Sequence, residues 1–501
     1  MFARSIRHVR TLSSTSLLPS KEESPRWLRN GNAHRPFFPS IMFRRRRVLL
    51  LAIGVVSLCL VVLHISSSTP PHVERVASPW SASSEINAPN DTENTSPVVI
   101  PHPPWVLGPP TPKFRDNLLA DRKYVTSWYA AGWNNDVITM MNLIYLAKIT
   151  DRIPIIPTFT PSWHIGGDAP GITFGEIFDV PRFIQETGIE LLEWHQVKDP
   201  ASTEVEEIGC WSVWQAVQNF EDQPRGSDVP KWLNLDIAYT KAPEWIKLLP
   251  GNEHDRGSSF WALARLAYSE DRDKSLRQDV LQSPKNGAVV HPDEQLLCYD
   301  YLYYVGSHQW FEYENEYSPA WRKVGAHLHW TEDIEQLAAQ YVNTVFGLPL
   351  NRPPPPYITV HVRHGDFAEW CWDAETVEEC FAPLSAIARR VREVQAELLE
   401  RFDINVPMEH VIVTSDEKDE DWWAQVETYG WKRMNHDQQR TATRFSRWHP
   451  LIVDSAIQSN GIGFVGNDRS TFSTLSRRRV MDWHDGVVRT VLWGKKGADD
   501  H

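Results

Sequence analysis

Arg363 and Asp366 stand three residues apart, just where an uncharged, largely β-branched run, Tyr357–Val362, gives out. A guanidinium carried on a rigid strand end suits a phosphate, because its planar fork offers two parallel N–H donors. The competing reading is an Arg363–Asp366 ion pair that merely closes the strand. Two further strand-like runs end in related groups: Val406–Asp416 finishes on Ser415 and Asp416, and Gly461–Gly466 leads into Asn467–Ser476. The last stretch holds Ser470, Thr471, Ser473, Thr474 and Ser476 around Phe472. One hydroxyl there is an ordinary helix N-cap. A cluster at a strand-to-helix turn suits anion binding by side-chain hydroxyls and free backbone N–H groups together.

These strand ends need a frame that brings them to one place. The pattern Lys123–Tyr129 (strand), Ala130–Asp136 (turn), Val137–Lys148 (helical spacing) and Arg152–Pro157 (strand) reads as a βαβ unit. The second half predicts helices over 381–402, 422–429 and 448–459, the last carrying Asp454, between its strands. Alternation of this kind builds open α/β sheets, whose ligands sit outside the carboxyl ends of the strands. The first turn offers Gly132, Asn134 and Asn135, but lacks the three glycines of a dinucleotide fingerprint. Residues 160–345 show no repeat and no evident chemistry, and their loops are the expected place for an acceptor. Leu296–Val305 reads as a strand feeding the core. Arg352–Pro356 is a stiff connector, so the boundary between a domain at 113–350 and one at 351–501 falls there.

The net charge of −13 is unevenly spread. The first 47 residues carry 11 Lys/Arg against 2 Asp/Glu, a balance of +9, which leaves −22 on the rest. A body that acidic is a poor nucleic-acid binder, so any anionic ligand must meet a local basic pocket. Tryptophan is abundant, at 23 residues; exposed indoles could stack on sugars, but most belong in a core. Residues 1–43 read as a disordered cytosolic tail, with a transit peptide as the alternative. The arginines 44–47 precede an apolar run, Val48–Ile65. Eighteen residues at helical rise span ~27 Å, about a hydrocarbon core, and the flanking arginines keep that end cytosolic. Segment 44–65 is therefore expected to be a transmembrane anchor, and the Ser- and Pro-rich segment 66–112 a disordered stalk with glycan acceptor sequons at Asn90 and Asn94. This layout predicts a single-pass type II protein of the Golgi or endoplasmic reticulum, its body in the lumen. Besides Cys59 in the anchor, four cysteines allow three pairings. The favoured set is Cys371–Cys380 with Cys210–Cys298, the former clamping the loop after Arg363; four free thiols are the alternative.

Four stretches, in order, resemble one family. HVRHGDF at 361–367 is similar to the HxRxxD motif of the GDP-fucose fucosyltransferases, the superfamily of protein O-fucosyltransferases and α1,6-fucosyltransferases. VIVTSDE at 411–417 and GFVGNDRSTFSTL at 463–475 resemble its second and third motifs, with Asp454 sixteen residues before Ser470; GWNND at 132–136 resembles its first turn. The resemblance implies two Rossmann-like domains facing a cleft (GT-B type), inversion at the anomeric carbon, and GDP-fucose as donor without metal or other cofactor. It implies that Arg363 binds the β-phosphate, that His361 and Asp454 contact guanosine, and that Ser470, Thr471 and Phe472 hold phosphates and ribose. Gly132 and Asn134 would belong to the donor site, and Asn135 would sit near fucose and the acceptor hydroxyl. The acceptor would be a glycoprotein or glycan. Some members carry a glutamate as base just before the first-turn glycine, where this chain has Ala130 and Ala131. Asp136, or the leaving phosphate through water, could replace it. A membrane-anchored pseudoenzyme or lectin-like binder, and a transferase using another nucleotide sugar, are the alternatives.

Overall fold

The computed structural model describes residues 102–161, 165–218, 221–252, 254–276 and 279–500. The expected tail, anchor, Cys59, most of the stalk, Asn90 and Asn94 lie outside them. Among the described residues no helix is long and apolar enough to cross a membrane.

The first half contributes strands β1 (Tyr124–Ser127), β2 (Ile153–Ile156), β3 (Leu192–Glu193), β4 (Glu206–Ser212), β5 (Leu235–Lys241), β6 (Ser258–Ser259), β7 (Val280–Leu281), β8 (Leu296–Tyr299) and β9 (Val305–Gly306). Seven of these form one sheet in the order β3-β2-β1-β8-β4-β5-β7, parallel throughout except for β7 against β5; β6 and β9 pair separately. The second half contributes β10 (Ile358–Val362), β11 (Val411–Ser415), β12 (Lys432–Arg433), β13 (Gly463–Asn467) and β14 (Val487–Val491), all parallel, in the order β12-β11-β10-β13-β14. In sequence rank that order is 3-2-1-4-5, the doubly wound arrangement, and it reverses at β10. Every residue of β1, β2, β8, β10 and β13 is buried, as expected of strands covered on both faces.

Five helices frame the strand ends: α1 (Trp133–Ile149), α2 (Glu332–Phe346), α3 (Leu384–Phe402), α4 (His449–Ser459) and α5 (Thr471–His484). On one side of the second sheet, α3 packs a core of its own with Ile358, Val360, Val391 and Val394. On the other side, Ile452, Val453 and Ile457 of α4 and Leu475 of α5 join the core of the first half. The connector at 352–356 thus separates two sheets, while one face of the second sheet shares the core of the first half.

Two expectations need correction. The stalk, placed at 66–112, does not extend that far as free chain. Val106 is 2% exposed and bridges Leu118, and the Trp105 carbonyl accepts the Tyr124 hydroxyl at 2.8 Å. The apolar pair Trp105–Val106 gives this end something to bury. The strand expected over 296–305 stops at Tyr299, because Asp300 turns its carboxylate onto Ser212 Oγ (2.9 Å) and the Val213 N–H (2.8 Å). Both favoured disulfides are present: Cys210–Cys298 ties the neighbouring strands β4 and β8, and Cys371–Cys380 closes the loop after β10.

Candidate functional site

The centre of the site is the switch point of the second sheet. β10 ends at Val362, and the Arg363 N–H donates to Asn467 Oδ1 at 3.0 Å, pinning the arginine's backbone to the end of β13. The guanidinium is 23% exposed and pairs with Asp366 (2.6 Å) and Asp416 (2.9 Å). The ion-pair reading of Arg363 and Asp366 is therefore correct as geometry. It does not exhaust the side chain, since a guanidinium carries five N–H donors and these contacts use its two terminal nitrogens. Asp416 also accepts the His364 N–H at 2.9 Å. Gly365 has φ +25°, and a Cβ there would overlap Asp416 Oδ2, so glycine is required for Asp416 to reach Arg363. The loop is stiffened by the Cys371–Cys380 bond and by Phe367 stacked on Trp493 at 4.9 Å.

His361 precedes Arg363 on β10, is buried, and stacks on Phe472 with ring centroids 4.8 Å apart. Its Nδ1 lies 2.8 Å from Ser473 Oγ, which accepts the Asn467 N–H at 3.0 Å. Ser473 Oγ thus links the imidazole to the backbone at the end of β13. Burial, with Arg363 adding to it, pushes the imidazole down to about 3, so the ring is neutral. Ser470 is the N-cap of α5, its Oγ accepting the Ser473 N–H at 3.3 Å. That satisfies one of the free N–H groups of the helix start.

The first half meets this cluster through Asn135. Thr471 Oγ1 donates to Asn135 Oδ1 at 2.8 Å, setting the starts of α1 and α5 against each other. Gly132 is the N-cap of α1 at φ −72°, a value any residue adopts, so backbone strain does not demand glycine there. Asn134 is buried in the same first turn. Asp136 accepts the Ala131 N–H at 3.2 Å, and burial pushes its carboxyl well above the usual range, against backbone N–H groups of Ala131 and Ala130 and the charge of Arg225. A carboxyl from the helix thus folds back onto the two alanines that stand in the place of the expected glutamate.

Not every expected residue joins the cluster. Asp454 on α4 meets His436 Nε2 at 2.9 Å rather than His361 or Ser470. Burial works against charge at His436, and Asp454 outweighs it, leaving the imidazole raised. Ser415 caps its own turn, taking the Glu417 N–H at 3.0 Å. One residue was missed. Arg225, in a loop without evident chemistry, donates to the Ala130 carbonyl at 2.8 Å and lies over the rings of Trp214 (4.9 Å) and Tyr301 (5.5 Å). Its own N–H is held by Asp300 at 3.2 Å, a carboxyl that burial raises to about 6. Only its place directly after Gln223-Pro224 in a polar loop was visible in the sequence. No group of side chains suited to a metal ion occurs among the described residues.

A doubly wound α/β chain with an arginine, a neutral histidine and a capped helix start at its switch point has the features of an anion-binding, nucleotide-type site. The chain belongs to the GDP-fucose protein O-fucosyltransferase family, whose model matches residues 124–481. Among solved structures it is similar to POFUT1 in complex with GDP-fucose, at 15% identity over 74% of this chain and 98% of that one, TM-score 0.46. POFUT1 in complex with GDP matches at 14% over 74% and 98%, TM-score 0.48. The fucosyltransferase NodZ from Bradyrhizobium matches at 13% over 72% and 93%, TM-score 0.36. No curated relative matches the chain.

Proposed function

We propose that this protein transfers fucose from GDP-fucose to a hydroxyl of a glycoprotein or glycan, with inversion at the anomeric carbon and without a metal ion. The observation that carries the reading is the meeting of Arg363, His361 and the Ser470–Ser473 helix start at the switch point of a chain of this family. The acceptor oxygen attacks the anomeric carbon from the face opposite the phosphate, and the bond to the β-phosphate oxygen breaks. The electron pair stays on GDP, where Arg363 and the N–H groups of α5 neutralise it as it forms. The acceptor proton goes to Asp136 or, through water, to the departing phosphate. Asn135 orients the acceptor side and Phe472 the ribose. The two-sheet architecture serves a GT-B cleft, and segment 44–65 anchors the body in the lumen of the Golgi or endoplasmic reticulum.

Ala130 and Ala131, and the enclosure of Asp136, favour one second reading, a binder of GDP-fucose without turnover. A third, a different nucleotide sugar, is met by the same test. A thermal-shift panel of GDP, GDP-fucose, GDP-mannose and UDP-sugars should show stabilisation by GDP and GDP-fucose, by about 2.7 kcal/mol at a hundred times Kd. Stabilisation by UDP-sugars alone refutes the donor assignment. Stabilisation by GDP-fucose without hydrolysis or transfer favours the binder.

A further inference from the structure

A second concavity lies at the other end of the second sheet. Its volume is about 580 Å³, within the range of small-molecule sites. Tyr357 and Ile462, which line it, immediately precede β10 and β13, whereas Arg363 and Asn467 stand at the far ends of those strands. It is therefore separate from the crevice that holds Arg363. Its wall is drawn from three sources: Arg182, His329 and Glu335 of the first half, Pro354–Pro356 of the connector, and Asn460, Trp483 and His484 at the ends of α4 and α5.

The chemistry of that wall is narrow. Arg182 already pairs with Glu186 at 2.6 Å. Burial pushes His329 down to about 4, and His484 is also lowered, chiefly by burial, so both rings are neutral. Burial raises the Glu335 carboxyl, which accepts from the Asn460 amide. Beneath the wall, Arg479 is 1% exposed, 4.3 Å over the Trp330 ring and 5.5 Å from Trp483, with Nε and Nη1 unpartnered. One committed guanidinium opposite a carboxyl is a poor phosphate site, and so many polar groups make a poor lipid site. Two neutral imidazoles, an amide and a hydrogen-bonded carboxyl beside an indole and a proline wall match a ligand with hydroxyls on its edge and C–H groups on its faces.

We propose that this cavity binds a neutral saccharide at a non-catalytic site. Its occupant touches α5, which also serves the crevice. α5 begins at Thr471, on Asn135, and ends at His484 in the cavity wall, ~21 Å away at helical rise. α4 carries Asp454 and is capped by Asn460. A bound sugar therefore bridges both halves and the connector.

The saccharide site stands on its own contacts; only its effect on transfer rests on the proposed donor reading. The test titrates the soluble body with neutral trisaccharides (triacetylchitotriose, maltotriose, mannotriose) by calorimetry, with GDP as an independent titrant. At least one trisaccharide should bind, and Ala339→Phe, which fills the cavity from a half-exposed helix face, should weaken it at least about tenfold while GDP affinity stays unchanged. Trp483→Ala should do the same; because Trp483 also stacks on His329 at 4.4 Å, its fold is checked by circular dichroism, and Ala339→Phe decides if it fails. No trisaccharide binding, binding untouched by Ala339→Phe, or binding that GDP abolishes by competition would each overturn the proposal. Loss of GDP binding alone would refute the donor reading and leave this site standing.

Discussion

Thr471 donates its hydroxyl proton to Asn135 at 2.8 Å, joining residues 336 positions apart in the chain. Each is in the first turn of a helix that starts at the carboxyl edge of its own sheet, so the bond sets how close two helix starts stand. Helix starts carry partial positive charge, and two of them converging favour an anion between them. Thr471→Val and Asn135→Ala should each weaken GDP binding. A double-mutant cycle should return a coupling of about 1 kcal/mol, typical of one neutral hydrogen bond. Additive single effects would show that the two helix starts act separately.

Gly365 makes a second, sharper case. Gly365→Ala places a methyl group where Asp416 Oδ2 sits, at φ +25°. The substitution should cost about 1–3 kcal/mol in chemical denaturation, the usual range for a strained backbone position. It should also change GDP affinity, because Asp416 can no longer hold Arg363. Unchanged stability would mean that the loop has a second arrangement.

The buried imidazole of His361 predicts a pH dependence with a definite sign. A histidine lowered from the usual 6.5 to about 3 binds its proton in the unfolded chain first. Its contribution to stability is complete above pH 6.5 and is lost as pH falls from there towards 3, by up to about 1.4 kcal/mol per unit. Glu193, raised chiefly by burial to about 7, acts oppositely between pH 7 and 4.5, so the whole protein partly conceals the effect. The difference between wild type and His361→Asn isolates it. Measured by urea unfolding, the wild type should lose ground to the variant as pH falls from 6.5 to 5. A flat difference would show that the ring is not held neutral.

What was legible came from local pattern. A buried β-branched strand that ends abruptly in Arg363, and a glycine-bounded strand that ends in hydroxyls, announce their positions through their own residues. The order of the strands was not legible in this way, since it depends on which strands pair across the sheet. Arg225 announced nothing, because its role comes from the Ala130 carbonyl 95 residues away and from rings on two other segments. The partner of Asp454 was equally silent: its spacing to Ser470 is local, but it meets His436, eighteen residues before it on another segment. The order at 102–112 rests on Trp105 and Val106 meeting Tyr124 and Leu118, two residues in an otherwise Pro-rich segment.

The cysteine loop offers a further measurement. Cys371→Ser with Cys380→Ser removes the clamp on the segment that carries Asp366 and packs Phe367 against Trp493. Stability should fall by about 2–3 kcal/mol, the scale for a short closed loop. Hydrogen exchange should rise over 365–381 and stay level in α3. Exchange unchanged in the loop would place its rigidity in the aromatic stack alone.

The central claim is that Arg363 neutralises a departing diphosphate. The measurement is Arg363→Ala, read both as GDP affinity by calorimetry and as fucosyl transfer or GDP-fucose hydrolysis. The account predicts a loss of turnover of about 10²-fold or more, as for removal of a transition-state donor, with GDP binding weakened and the fold retained. Wild-type GDP affinity and turnover in a folded variant would leave Arg363 as nothing more than the partner of Asp366 and Asp416, and would contradict it.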